Sequence, residues 1–374
     1  MTKVVSIEVV LPGEVIQEEL DARGWTHEDL ADVMGRSRQH VRNLVTGKAA
    51  ISPESARELS EAFETSAELW MNLQMSYELS KQATKDSQIK KRAALYERVP
   101  VREMKKRAWI TDDKDVDELE SSVLKFMGIS SWSQDPQVSM AARKSTEYGM
   151  HTLAQKAWGR RVLQLGACVG ASKFAVENIP DGVTELRSLV PNPENIRKVP
   201  AVLSSMGIRL VLVQHLTGTK IDGAAMWLDE CSPVIGLSLR YGRIDNFWHN
   251  LFHELVHVRE REGMEGGVID TEMNDGVLSA VSESEARANR DAANYLVPTE
   301  KLDSFIARHK KLFYQAKVIQ FANSRGVHPG IVVGQLRHRG ELDYRQLTKL
   351  TVDIRNHILG AALTDGWGDC PLVS

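Results

Sequence analysis

Apolar residues recur at helical spacing through residues 12–79, in five short runs: PGEVIQEELDARG, THEDLADVMG, SRQHVRNLVTGK, SPESARELSEAF and TSAELWMNLQMSYEL. Four of the runs open on a side chain that can cap a helix, namely Thr26, Ser37, Ser52 and Thr65. Pro53 falls just inside the fourth helix, and Thr65 and Glu68 have the spacing of a capping box. In the second run Leu30, Ala31 and Val33 form the apolar face; in the third, Val41 and Leu44 point inward. In the fifth, Leu69, Trp70, Leu73 and Tyr77 make an apolar stripe suited to core packing or to a dimer surface. Residues 1–80 are therefore predicted to form a small all-α domain.

The pattern then changes. Residues 81–108 have the look of a basic helical connector interrupted at Pro100, and 115–175 continue as helix with few strand signals. DGVTELRSLVPNPENIRKVP, rich in Pro and Asn, marks a boundary near 180–200. IRLVLVQ (208–214), AAMWL (224–228) and PVIGLSL (233–239) are short apolar runs separated by turn residues, as adjacent strands would be. Helical periodicity returns in NFWHNLFHELVHVRERE and persists to the end, where FANSRGVHPGIVVGQLRHRGELDY (321–344) reads as a helix, a Gly-containing turn and a second amphipathic helix, either a further helix-turn-helix-like module or, the favoured reading, packing support for the core. The expected fold is multidomain and mainly α: a helical domain over 1–80, a basic helical connector over 81–195, an α+β core with a small sheet over 196–300, and a helical tail over 301–374.

Composition excludes some classes. Apolar residues at 42% and charged residues at 26% are ordinary globular values, and no 18-residue apolar run occurs, so a membrane partner is not expected. Cys168, Cys231 and Cys370 lie far apart with no CxxC pair, which argues against a disulfide framework or a thiolate metal site. Glu8 and Glu14 interrupt the stretch a secretory signal would need, so a cytoplasmic location is expected.

The net charge of −3 conceals strong local differences. Residues 1–80 carry seven basic against fourteen acidic side chains, leaving −7, while 81–108 carry ten basic against three acidic, leaving +7. Within the acidic segment, positions 33–53 hold Arg36, Arg38, Arg42 and Lys48 and no acid at all.

That acid-free stretch coincides with a helix-turn-helix pattern. Gly35 falls where the chain must turn, Arg36 follows it, Ser37 caps a second helix, and Arg38, Gln39, His40, Arg42 and Asn43 face mostly outward, with Lys48 beyond them. Arg can fork onto guanine, Gln and Asn onto adenine, and a helix N-terminus favours phosphate, so these residues, Ser37 included, are the candidate DNA contacts. Residues 11–79 resemble the Xre-type domain of the HigA/VapI antitoxin family. The resemblance implies an autoregulatory homodimer on a palindromic double-stranded operator, with half-sites about 34 Å apart, and a cognate toxin as partner.

A second constellation is His253-Glu254-Leu255-Val256-His257, an HExxH motif. On a helix the two imidazoles share a face and can hold one Zn²⁺, while Glu254 lies beside the water the ion would activate. Phe247, Leu251, Leu255 and Val258 keep helical spacing independently of the motif. A catalytic site needs a third ligand, and SESEARANRDAANYLVP (282–298) offers Glu283 and Glu285.

The combination resembles the ImmA/IrrE metallopeptidases, in which HExxH is followed by a helix of the form ExxA(N/D)xxAxxLxxP. Glu285, Ala288, Asn289, Ala292, Leu296 or its neighbour Tyr295, and Pro298 fall on that pattern, which implies Glu285 as the third metal ligand, with Glu283 the other candidate, and Glu254 as the catalytic base. The chain departs from the family at Val256, where Gly is common, at Asp291, where an aromatic is common, and at Arg287, where a second acid is common. Tyr241, Arg243, His249 and Tyr295 are read as structural; His215, His309, His328, His338 and His357 are read as surface or cap residues.

The expected function is a DNA-binding regulator carrying a zinc endopeptidase that cuts itself, an Xre-type repressor or a partner protein. The alternative is a non-catalytic antitoxin whose zincin-like domain only binds a toxin or other partner.

Overall fold

The computed structural model describes residues 10–81, 83–136, 138, 141–144, 152–262, 264, 275–309 and 312–372. The chain divides into two compact units, Met1–Ala94 and Leu95–Ser374.

The first unit contains α1 (Pro12–Arg23), α2 (His27–Met34), α3 (Arg38–Val45), α4 (Pro53–Phe63), α5 (Ala67–Lys81) and the start of α6 (Ala83–Arg98). Thr26, Ser37 and Ser52 each accept a hydrogen bond from the backbone N–H three residues on, so three of the expected caps form. The fourth shifts by one residue. Ser66 accepts from Leu69 N, and Thr65 is instead taken by the Trp70 indole, whose Nε1 donates to Thr65 Oγ1 at 2.8 Å. Trp70 must bury its ring beside Phe63, and its polar edge claims the nearest hydroxyl.

Ile16, Leu20, Leu30, Val41, Leu44, Leu59, Phe63 and Trp70 close a single core. Val33 does not join it and is 53% exposed, because α2 spans only two turns and its buried edge is filled by Leu30 and Ala31. Gly13 sets the approach of α1 to α3: a β-carbon there would lie 1.9 Å from the Val45 carbonyl oxygen.

The second unit adds α7 (Val101–Lys106), α8 (Val116–Met127), β1 (Ala141–Lys144), α9 (Leu153–Ala167), α10 (Ile179–Leu189), α11 (Val199–Ser205), β2 (Arg209–Val213), β3 (Ile221–Trp227) and β4 (Pro233–Leu237). It continues with α12 (Ile244–Arg259), α13 (Asp275–Leu296), α14 (Thr299–His309), α15 (Gln315–Arg325), α16 (Pro329–His338), α17 (Arg355–Ile358) and β5 (Leu363–Asp365). The sheet is mixed, in the order β1-β3-β4-β2-β5. β1 and β4 run antiparallel to β3; β2 runs parallel to β4 and β5.

Alternation along the strands separates two cores. Leu210, Leu212, Ala225, Trp227, Ile235 and Leu237 pack with α10–α16, whereas Val211, Val213, Ala224, Met226 and Val234 pack with α7–α9. Strands covered on both faces are mostly apolar, which is why these segments read as continuous runs. The result is a mainly helical, multidomain chain with a small sheet.

Three expectations about this region change. The stretch at 180–200 is not a boundary: Pro180, Pro193 and Pro200 occupy first-turn positions of α10, a 3-10 turn and α11, where a missing N–H costs nothing. From Leu95 onward the segments read as connector, core and tail fold as one unit. The helical reading of 115–175 missed β1, a short strand with the sequence AARK that shows no apolar alternation.

The C-terminus is locked into this unit by a buried carboxylate. Asp365 Oδ2, on β5, accepts from Arg161 Nε at 2.6 Å and from Trp109 Nε1 at 2.9 Å.

Candidate functional site

α12 is threaded through the core, and residues 250–258 are all buried. On it His253 and His257 lie one turn apart, with Nε2 atoms 3.0 Å from each other. α13 packs against α12 through Ala288, Ala292 and Leu296, and brings Glu285 to both imidazoles. Glu285 Oε2 lies 3.3 Å from His253 Nε2, and Glu285 Oε1 lies 3.4 Å from His257 Nε2. Ligand atoms of the three residues all fall within 4.8 Å of one another.

These separations fit a metal. Two ligands on a tetrahedral zinc at bond lengths of about 2.0–2.1 Å stand about 3.3 Å apart, close to the 3.0, 3.3 and 3.4 Å edges found here. Two neutral imidazole nitrogens and a carboxylate are also the donor chemistry a catalytic zinc takes. Burial works against ionisation of Glu285, yet the two histidines outweigh it and hold its carboxyl at about 2. Glu283 is exposed and stands outside the cluster.

Glu254 is fully buried on the same helix, facing the sheet. Its carboxyl packs against Gly223 of β3, where a β-carbon would lie 2.9 Å from Glu254 Oε1. A cleft lined by Asp222, Leu237, Arg240, Arg243, Asn246 and Asn250 opens beside the first turns of α12.

The C-terminal end of α12 shows what sequence reasoning missed. Arg261 takes a left-handed conformation with φ 58°, and Glu262 N then donates to His257 O at 2.9 Å, closing the helix with a Schellman-type bond. The turn carries the Glu262 carboxylate back to His257, whose Nδ1 donates to Oε2 at 2.6 Å. Ser284 Oγ, from α13, donates to the same carboxylate at 2.6 Å and Arg287 Nη2 at 3.1 Å. Burial opposes charge on His257, but hydrogen bonds to Glu262 and Glu285 prevail and raise it to about 10.

Both unusual charges of the 282–298 helix thereby find partners. Arg287 meets Glu262, and Asp291 accepts from Arg259 Nη2 at 2.7 Å while Arg259 Nη1 donates to Tyr295 at 2.6 Å. A signal existed in the sequence: two charges foreign to the resembled pattern, and a run of four alternating charges, Arg259 to Glu262, just after the second histidine. Val256 is buried and its bulk is accommodated.

Among the residues read as structural, Tyr295 carries that Arg259 contact, Arg243 is paired with Asp245, and His249 Nε2 lies 3.4 Å from Asn289 Oδ1. His328 is a helix cap, its Nδ1 accepting from Gly330 N at 3.1 Å. α16 packs on α12, with no room for a β-carbon between Gly334 and Asp245, so residues 321–344 support the core.

In the first unit, α2, the turn at Gly35 (φ 65°) and α3 have helix-turn-helix form. Val41 and Leu44 are buried, while Ser37, Arg38, Gln39, Arg42 and Lys48 are exposed and His40 and Asn43 half-buried. Arg38 pairs with Glu28 across the turn, and Gln39 Nε2 donates to Asn43 Oδ1 at 2.8 Å. Arg36 differs from the rest. Its Nε and Nη2 fork onto Glu58 at 2.9 and 2.6 Å, and Nη2 also pairs with Glu54. Arg36 thus ties the turn to α4, and His40 Nε2 sits 3.3 Å from Ser55 Oγ of the same helix.

Comparison with known proteins bears on this unit. The Helix-turn-helix family profile matches residues 16–70. YddM of Escherichia coli, an HTH-type transcriptional regulator, is 38% identical over 69 residues, which are 18% of this chain and 73% of that protein. Virulence-associated protein A' of Dichelobacter nodosus is 36% identical over 70 residues, 18% of this chain and 61% of that one. The chain belongs, through its N-terminal unit, to the HTH-type transcriptional regulators. Among solved structures, the Pseudomonas aeruginosa antitoxin HigA with higBA promoter is 33% identical and covers 22% of this chain and 91% of its own, at a TM-score of 0.21. The family match ends at residue 70, well before the His253–His257–Glu285 cluster. No helix among the described residues is long and apolar enough to cross a membrane.

Proposed function

We propose that the chain is an antitoxin-like transcriptional regulator that binds double-stranded operator DNA through α3 as a homodimer and carries a zinc-dependent endopeptidase in its second unit. The observation supporting the enzymatic half is the convergence of His253, His257 and Glu285 with Glu254 one position along the same buried helix. The likeness to the ImmA/IrrE pattern agrees with it. His253, His257 and Glu285 would hold the ion. Bound there, a zinc ion would supply the Lewis acidity that polarises a scissile carbonyl and acidifies a water.

The remaining work falls to this chain's own groups. Glu254, sealed from bulk solvent, takes the proton of the attacking water and returns it to the departing amine. Gly223 leaves room for its carboxyl. The substrates this reading favours are an Xre-type repressor, a cognate toxin or the chain itself. The alternative, a second unit that only binds a toxin or other partner, keeps the metal as a structural clamp.

The experiment compares zinc-loaded wild type with Glu254→Gln on the chain itself and on co-expressed neighbouring proteins. Cleavage that the variant loses supports the enzyme; bound zinc without any Glu254-dependent cleavage favours the binding role. Operator binding is tested by mobility shift on the chain's own promoter, and absence of a shift at low salt contradicts it.

A further inference from the structure

The proposed ligand His257 offers Nε2 to the cluster, and what its other nitrogen meets decides how it is held. That nitrogen faces Glu262, which no motif assigns. The Glu262 backbone is fixed on both sides: its N–H donates to His257 O at 2.9 Å, and its C=O accepts from the Trp227 indole of β3 at 2.9 Å. Its carboxylate, as described, accepts from His257 Nδ1, Ser284 and Arg287. The donors come from both helices that bear proposed metal ligands, α12 for the histidines and α13 for Glu285.

We infer that Glu262 is the positioning residue of the metal centre: it fixes the His257 tautomer and ring orientation, and with Ser284 and Arg287 latches α13 so that Glu285 meets the two histidines. This rests on the zinc-site reading above. A carboxylate accepting from Nδ1–H leaves the Nε2 lone pair directed at the ion and makes the ring a stronger donor. The arrangement also explains why Arg287 stands where the resembled pattern has an acid. A second acid there would face Glu262 at the distance where Arg287 now forms its ion pair.

The test measures zinc affinity of the purified full chain by competition with a chromophoric chelator, and the visible d–d spectrum of the cobalt-substituted protein. Wild type, Glu262→Ala, Glu262→Gln and Arg287→Ala are compared. Glu262→Ala is expected to weaken zinc binding by about 10- to 100-fold and to alter the cobalt bands. Glu262→Gln, which retains an acceptor oxygen, should recover part of the affinity, and Arg287→Ala should cost less than Glu262→Ala. Thermal unfolding of the metal-free proteins shows whether each variant folds; should Glu262→Ala not fold, Glu262→Gln alone must show the weakened affinity. Wild-type affinity and an unchanged cobalt spectrum in a folded Glu262 variant would overturn the inference while leaving the zinc site standing. Failure of the wild type itself to bind zinc overturns both.

Discussion

Gly223 of β3 and Glu254 of α12 touch so closely that a β-carbon on the first would lie 2.9 Å from Oε1 of the second. The strand thus makes the recess in which the proposed general base sits, and leaves no room for any other residue. Gly223→Ala must push the carboxylate or the strand aside. Overpacking of this kind costs about 1–3 kcal/mol, and the base should lose its placement. The expected outcome is a lowered unfolding midpoint together with loss of any Glu254-dependent cleavage, with zinc retained. A variant as stable and active as wild type would remove this role for Gly223.

The exposed basic residues of α3 and the paired arginine before it should behave differently. Arg38→Ala with Arg42→Ala is expected to weaken operator binding and to reduce the slope of log K against log salt by about one for each phosphate no longer neutralised. Arg36→Ala should instead act on the fold, because its guanidinium is engaged by Glu58 and Glu54. Thermal unfolding and mobility shifts on the three proteins separate these effects; an Arg38, Arg42 double variant that binds like wild type would contradict the recognition-helix assignment.

Acid should weaken the second unit from near pH 6.5 downward. Burial lowers His328 below the ordinary imidazole value, and burial followed by the Arg240 charge lowers His215. Because the unfolded chain binds more protons at these positions, stability present above their unfolded pKa falls as pH drops through it. His257, raised to about 10, acts in the opposite sense: its stabilising contribution grows as pH falls toward the unfolded imidazole value and is complete only below it, so it partly offsets the loss from His328 and His215. His328 as imidazolium also cannot accept the Gly330 N–H. His328→Asn, which keeps an acceptor at the cap, should flatten the pH dependence of the midpoint between pH 7 and 5; an unchanged slope would exclude His328 as its source.

The buried carboxylate of Asp365 holds Arg161 and Trp109, and removing it strands a buried guanidinium. Asp365→Ala is expected to cost about 3–5 kcal/mol, read by urea unfolding followed through tryptophan fluorescence. A shift below about 1 kcal/mol would show that the Arg161 charge escapes to solvent.

Much of this was legible along the chain. The caps at Thr26, Ser37 and Ser52, the turn at Gly35 and the inward Val41 and Leu44 come from local periodicity and local hydrogen bonding, which short sequence windows carry. The 253–257 spacing likewise placed His253 and His257 on one helical face, which Glu285 joins. What stayed hidden depends on long-range pairing. β1 has no alternation and exists because β3 offers an edge. Glu262 acquires meaning only when a left-handed residue turns it back onto His257 and α13 delivers Arg287 from 25 positions away. The prolines at 180–200 looked like breaks because Pro ends helices more often than it is noticed starting them.

Metal stoichiometry of the purified full chain, measured by elemental analysis after equilibration with zinc and removal of excess, tests the central claim most directly. One zinc per chain in the wild type, and none in a His253→Ala, His257→Ala double variant that still folds, is the predicted result. A wild type that retains no zinc, or a double variant that still holds one, would contradict the assignment of His253, His257 and Glu285 as a metal centre.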